Sequence, residues 1–230
     1  MGTYLRSLPA LLTALLIASA IGGCGGNDTR GETAPIAPAS PSETGSADAD
    51  RLAIPGAGEA LVWGRGRDAV LLAHGAVFDA ASWGPQARRI AAQGNLVVAL
   101  EAIGPEEIGA AIEYLRAERS ATSVVLIGAS AGADAALQAL AAGPDAVDQL
   151  ITLSVNSTSS PEDLGPQPKL FIASEEESVA GLSTQLAQTS PGEDNEALLL
   201  PGSAHAQAIF DGAQGDRALR AILDQLVAGT

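Results

Sequence analysis

Four large apolar residues, Val124-Val125-Leu126-Ile127, run without a break into Gly128-Ala129-Ser130-Ala131-Gly132. An alanine-rich helical pattern follows over residues 133–142. A buried strand, a sharp turn and a helix in that order turn a short Gly-x-Ser-x-Gly match into the context of a nucleophile elbow. The serine stands at the tip of a strained turn, with its Oγ clear of the sheet while chain packs closely on both sides. Gly128 and Gly132 remove the side chains that such close approach forbids. Ala129, Ala131 and Ala133 keep the surroundings small as well.

The material for a core is aliphatic. Hydrophobic residues make up 47% of the 230-residue chain but aromatics only 3%, which suits a sheet covered on both faces by helices. The pattern along the chain agrees. Short strands are expected at residues 60–63, 69–73, Leu96–Leu100, 124–127, 150–155, 170–173 and 197–200. Helical spacing lies between them at 82–93, from Pro105 onward, at 133–142, at 179–188 and at the C-terminus. In the helix opened by Pro105, Ile108, Ile112 and Leu115 recur on one face, and Glu106 and Glu107 occupy the first turn where the helix dipole favours acids. Leu219, Ile222, Leu223, Leu226 and Val227 mark one face of the last helix. Repeated strand–helix units with continuous apolar strands give the α/β class, a doubly wound and mostly parallel sheet.

A net charge of −15 leaves nothing to neutralise phosphates and excludes nucleic acid as a partner. No glycine-rich phosphate loop and no metal-ligand spacing is present, so no cofactor and no metal are implied.

A serine hydroxyl needs a base to take its proton, and the base needs a third group to fix its tautomer. The chain has two histidines. His74 ends the strand at 69–73 in His74-Gly75; His205 follows the last strand in Gly202-Ser203-Ala204-His205. With Ser82-Trp83, Gly128-Ala129-Ser130-Ala131-Gly132 and an acidic cluster after Ile172, these positions resemble an α/β-hydrolase of the small, lidless esterase or dienelactone-hydrolase-like kind. The resemblance runs through most of residues 60–228. It implies the chain order nucleophile, acid, histidine, with Ser130 the nucleophile, His205 the base, and the N–H groups of Ala131 and Ala76 an oxyanion hole. His74 would shape that loop without transferring protons.

The same resemblance places the acid in a loop after the strand at 169–173, usually as Gly-x-x-Asp. Here the loop reads Ser174-Glu175-Glu176-Glu177, which puts Glu177 at the acid position and Glu176 one residue away. Some hydrolases place the acid one strand earlier, where Glu162 and Asp163 stand. Residues 156–169, rich in Ser, Pro and Gly, leave space for a loop and none for a helical lid. An open site implies a short or soluble ester or thioester as the small-molecule substrate. An acyltransferase or peptidase would use the same residues, because the acceptor is chosen by pocket shape. A catalytically silent binding protein on the same fold is a third reading, opposed by the joint presence of Ser130, His205 and the nearby carboxylates.

The N-terminus sets the location. Arg6 precedes an apolar run from Ala10 to Ile21, too short for a stable membrane span. The run ends in Ile21-Gly22-Gly23-Cys24, which resembles the lipobox of bacterial lipoproteins, and Cys24 is the single cysteine of the chain. The expected organisation is therefore a signal peptide over 1–23, a disordered tether over 24–50 and a hydrolase domain over 51–230. Residues 25–50 hold one large apolar residue, Ile36, and bury too little surface to offset ordering entropy. The implied place is the cell envelope, on the extracytoplasmic side of a membrane. Fatty chains such as palmitate on Cys24 would contribute about 0.8 kcal/mol per buried methylene, enough with two chains for stable anchoring. Cys24→Ser should move the protein out of the membrane fraction, or leave residues 1–23 attached, without changing the melting temperature of the domain. Fractionation and the mass of the N-terminal peptide check this; wild-type protein in the soluble fraction with no lipid mass excludes the anchor.

Overall fold

The computed structural model describes residues 49–157 and 161–228. The signal segment 1–23, Cys24, the tether up to residue 48 and residues 158–160 lie outside the described residues. Eight strands form one sheet: β1 (Asp50–Ile54), β2 (Gly58–Trp63), β3 (Asp68–Ala73), β4 (Leu96–Leu100), β5 (Ser123–Ala129), β6 (Gln149–Leu153), β7 (Lys169–Ser174) and β8 (Asn195–Leu200). Their order is β1-β2-β4-β3-β5-β6-β7-β8. The pairs β1/β2 and β2/β4 are antiparallel, and every pairing from β4/β3 to β7/β8 is parallel. The helices are α1 (Gly84–Ala91), α2 (Pro105–Ala117), α3 (Ala131–Ala142), α4 (Ala180–Thr189) and α5 (Gly215–Ala228).

Alternation of side chains through the strands divides the core in two. In β3, Ala69, Leu71 and Ala73 face a core that contains Ile108 and Leu115 of α2, Leu137 and Leu140 of α3, and Leu186 of α4. Val70 and Leu72 face the other core, with Ile90 of α1 and Ile222 and Leu226 of α5. Both faces of β3 to β7 are buried, which is why these strands read as unbroken apolar runs and not as alternating ones, while the edge strand β8 is only partly covered. This is a doubly wound sheet. Among the described residues, the connection from β6 to β7 contains only a three-residue 3-10 turn, Pro161–Asp163, and no helix is long and apolar enough to cross a membrane.

Two elements differ from the sequence expectation. Strand β1 has no counterpart in it. Leu52 and Ile54 are the large apolar residues of a short edge strand whose remaining positions are exposed, too weak a pattern to see without its partner. Asp50 pairs with Val62, so the ordered chain reaches back to a residue assigned to the tether. The helix expected over 82–93 is a 3-10 turn, Ala80–Trp83, followed by α1 from Gly84. The Asp79 carboxylate caps the turn by accepting from Ser82 N at 2.9 Å. Pro85, which lacks an N–H, then takes the first turn of α1, where none is needed.

Lys169 lies fully buried at the start of β7, at the end of the sheet opposite to the carboxyl ends of the strands. Its Nζ donates to the carbonyls of Gly165 (2.8 Å), Gln167 (2.7 Å) and Pro191 (2.7 Å) and to Asn195 Oδ1 (3.3 Å). One ammonium thus ties the segment before β7 to the segment before β8. Burial lowers its pKa from 10.5 to about 8. Between those values the unfolded chain holds a proton that the folded chain lacks, so this group makes stability rise with pH across that window. Lys169→Met should cost roughly 2–4 kcal/mol, because buried acceptors left without a donor cost about 1–3 kcal/mol each. Denaturant titration from pH 7 to 10.5 checks both points: the variant should be less stable throughout and should lack the wild-type rise above pH 8.

Candidate active site

Ser130 joins β5 to α3 with φ 50° and ψ −114°, a region that non-glycine residues avoid at a cost of about 1–3 kcal/mol. The surrounding packing holds it there. A Cβ at Gly128 would lie 2.7 Å from Ala133 Cα, and one at Gly132 would lie 2.6 Å from His74 O, so neither position admits another residue. Ser130 N donates to Leu153 O at 2.9 Å, Gly132 N donates to His74 O at 3.1 Å, and Ala133 and Asp134 donate to Ser130 O. The turn is therefore pinned to the ends of both β6 and β3.

From Ser130 a hydrogen-bonded chain runs across the carboxyl ends of the sheet. Ser130 Oγ lies 2.9 Å from His205 Nε2, and His205 Nδ1 lies 2.7 Å from Glu177 Oε2. The other carboxylate oxygen, Oε1, accepts from Ser154 Oγ at 2.7 Å and from Ser174 N at 2.6 Å. Glu177 is nearly buried, with 6% of its side chain exposed against 43% for His205. A carboxylate held on both oxygens in such a place orients the imidazole and balances a positive charge on it. The loop of His205 is fixed at its neighbours. Ala204 O accepts from Ser174 Oγ at 2.6 Å, and Ala206 N donates to Ser154 Oγ at 2.8 Å. Gln207 Oε1 accepts from Gly75 N at 2.8 Å while its Nε2 donates to Ser82 Oγ at 2.7 Å. Of the four described non-glycine residues with positive φ, Ser130, Ser154 and Ala206 belong to this constellation; strain concentrates where the chain is held.

The loop after β3 closes the other side. His74 is buried, with Nδ1 2.8 Å from Gly75 O and Nε2 3.2 Å from Glu101 O. Both ring nitrogens face backbone carbonyl oxygens, and the ring N–H can donate to either one, which makes His74 a brace for the loop. Gly75 lies against Ser130, and a Cβ there would be 3.5 Å from Ser130 Cβ. Among the described residues, the N–H groups of Ala76 and Ala131 have no protein acceptor. No group of His, Cys, Asp and Glu among the described residues could hold a metal ion.

No family model and no curated protein sequence matches the chain. Solved structures do. A "predicted CIB-like hydrolase" from Thermoplasma acidophilum is 20% identical, with a TM-score of 0.61 over 77% of this chain and 97% of that one. The monoacylglycerol lipase of Paleococcus ferrophilus is 14% identical, with a TM-score of 0.61 over 74% and 98%. EstE1, a thermostable carboxylesterase from a metagenomic library, is 17% identical, with a TM-score of 0.65 over 80% and 90%. The chain has the α/β-hydrolase fold.

In this α/β-hydrolase fold the structure brings together Ser130, His205 and Glu177, and leaves the other carboxylates apart. Glu175 and Glu176 are exposed, and their backbone N–H groups bond to Leu200 O and Gly202 O. Glu162 and Asp163, one strand earlier, sit in the exposed-side turn between β6 and β7 and do not reach His205. The position directly after β6 is Ser154, and its hydroxyl, not a carboxylate, supports Glu177. Sequence reasoning missed Ser154, Ser174 and Gln207, and also Asn156 and Asp134. Asn156 Nδ2 reaches Ser130 Oγ at 3.3 Å and Asp134 Oδ2 at 3.0 Å. An isolated serine or asparagine in a loop carries no spacing signal. Asp134 had one slight mark: a charge in the first turn of an otherwise alanine-rich helix.

Glu177→Gln should slow capture of Ser130 by a fluorophosphonate by about 10⁴, because an amide at that place stabilises the wrong imidazole tautomer. Glu175→Gln and Glu176→Gln should remain within about twofold of wild type, as solvated surface groups do. Labelling rates of the purified variants check this, and equal rates in all three would remove Glu177 from the constellation.

Proposed function

We propose that this protein is a serine hydrolase that cleaves a small ester or thioester through an acyl-enzyme, tethered by lipid on Cys24 to the extracytoplasmic side of a membrane. The observation that carries the reading is the unbroken chain Ser130 Oγ, His205 Nε2, His205 Nδ1, Glu177 Oε2, with contacts of 2.9 and 2.7 Å. His205 takes the hydroxyl proton as Oγ forms its bond to the acyl carbon, and the carbonyl oxygen takes up the negative charge. The free N–H groups of Ala131 and Ala76 are the donors for that oxygen. The proton then passes from His205 to the leaving alkoxide or thiolate. Water, activated by the same imidazole, attacks the acyl-enzyme, and the acid leaves as Oγ recovers its proton. Glu177 fixes the tautomer in both halves.

Support for an ester substrate comes from the carboxylesterase and the lipase among the similar structures. The short connection between β6 and β7 supports a soluble or short-chain acyl group, because nothing among the described residues there forms a lid over Ser130. The lipobox-like Ile21-Gly22-Gly23-Cys24 supports the anchor.

Wild-type protein mixed with an activated ester should carry the acyl group on Ser130, found by peptide mass spectrometry, and Ser130→Ala should carry none while melting normally. Turnover should be fastest for acetyl to hexanoyl esters, without a jump when the substrate forms micelles. Folded protein that forms no adduct on Ser130 with any of several acyl groups would reverse the proposal and leave a binding protein on a hydrolase fold.

A further inference from the structure

Asn156 follows β6 where the chain turns away from the sheet, and its side chain returns to the reacting serine. Its Nδ2 lies 3.3 Å from Ser130 Oγ and 3.0 Å from Asp134 Oδ2. The amide carries two N–H donors on that nitrogen, so one can face the Asp134 carboxylate while the other faces Oγ. Asp134 also fixes the backbone. Its Oδ1 accepts from Asn156 N at 2.9 Å and from Ser157 N at 3.2 Å. A carboxylate in the first turn of α3 thus holds the main chain and the side chain of Asn156 at once. The bond to Asp134 Oδ2 also decides which end of the carboxamide faces Ser130, because a carbonyl oxygen there would meet a carboxylate.

We infer that Asn156 is a further catalytic residue, a donor to Ser130 Oγ, and that Asp134 is the residue that positions it. The inference rests on the serine hydrolase reading. In the resting site the Oγ–H donates to His205 Nε2, and the Oγ lone pairs accept from Asn156. The two contacts together set the serine rotamer. As Oγ loses its proton to His205 and bonds to the acyl carbon, the oxygen passes through a state of partial negative charge. A positioned N–H stabilises that state more than the neutral hydroxyl. Deacylation reverses the motion: the C–Oγ bond breaks, its electron pair returns to Oγ, and the oxygen recovers a proton from His205 beside the same donor. Asn156 therefore acts on the nucleophile oxygen, and the N–H groups of Ala131 and Ala76 act on the carbonyl oxygen. Its contribution should be smaller than that of an oxyanion-hole donor, since the contact is long and Asn156 is exposed.

Pre-steady-state turnover of p-nitrophenyl acetate by the full chain, with fluorophosphonate capture alongside, tests this. Asn156→Ala should lower the acylation and the deacylation rate constants each about tenfold, with little change in ester binding or in melting temperature. Asn156→Asp keeps the shape and loses the donor, so it should be at least as slow. Asp134→Ala should match Asn156→Ala, and the double variant should be no slower than either single one, because Asp134 works through Asn156. Rates in Asn156→Ala and Asn156→Asp equal to wild type, in protein that captures fluorophosphonate, overturn the inference and leave the hydrolase reading standing. Additive losses in the double variant overturn the role given to Asp134. Wild-type protein that captures no fluorophosphonate overturns the hydrolase reading and this inference together.

Discussion

The close contact between the start of α3 and the carboxyl end of β3 is the constraint on which the rest of the structure depends. Gly132 sits against the carbonyls of Ala73 and His74, and Gly128 sits against Gly132 and Ala133. No methyl group fits in either place. The helix can therefore leave the strand only through the unfavourable backbone of Ser130, and the serine is held out from the sheet whatever its own preference. Strain of about 1–3 kcal/mol at that residue is tolerable because it is embedded in two buried cores that span all the central strands.

Parallel strands then make an assembly of distant segments at one edge. Ser130 follows β5, Ser154 follows β6, Ser174 ends β7 and His205 follows β8, and each strand lies beside the next in the sheet. Neighbouring carboxyl ends bring these residues within hydrogen-bond reach, which is where open α/β sheets form their sites. Glu177 is the knot in this arrangement. Its two oxygens bind Ser154, Ser174 and His205, so the imidazole is oriented by three adjacent strand ends and not by one flexible loop. The neighbours of His205 are fixed as well, through Ala204 and Ala206, so the backbone that carries the imidazole is held on both sides.

The opposite end of the sheet solves a different problem. There the segments before β7 and before β8 bring several backbone carbonyls inward, and Lys169 supplies the donors for them. A buried ammonium is costly to desolvate, yet unpaired buried carbonyls would be costly as well. The site edge is thus built from carboxylate acceptors and hydroxyl donors, while the far edge is clipped by one cation.

Local sequence determined the strand–turn–helix around Ser130, because an apolar run, two glycines and an alanine-rich stretch admit little else. It determined the fold class through continuous apolar strands between helical patterns, and it marked His205 and the acidic loop after β7 as the places to look. Which carboxylate meets the imidazole was another matter. Glu175, Glu176 and Glu177 differ by a single position, and only the turn after β7 decides which side chain points inward to Ser154 and which two point to water. Ser154, Asn156 and Asp134 were invisible for a related reason: each bonds to a partner 22 or 23 residues away along the chain, and no local period connects them. Strand β1 shows itself only beside β2, and the cage around Lys169 is completed only by Pro191 and Asn195, 22 and 26 residues away. Short-range patterns record burial, since burial repeats with the period of the element, whereas a polar network is made of single residues that meet only when strands are laid side by side.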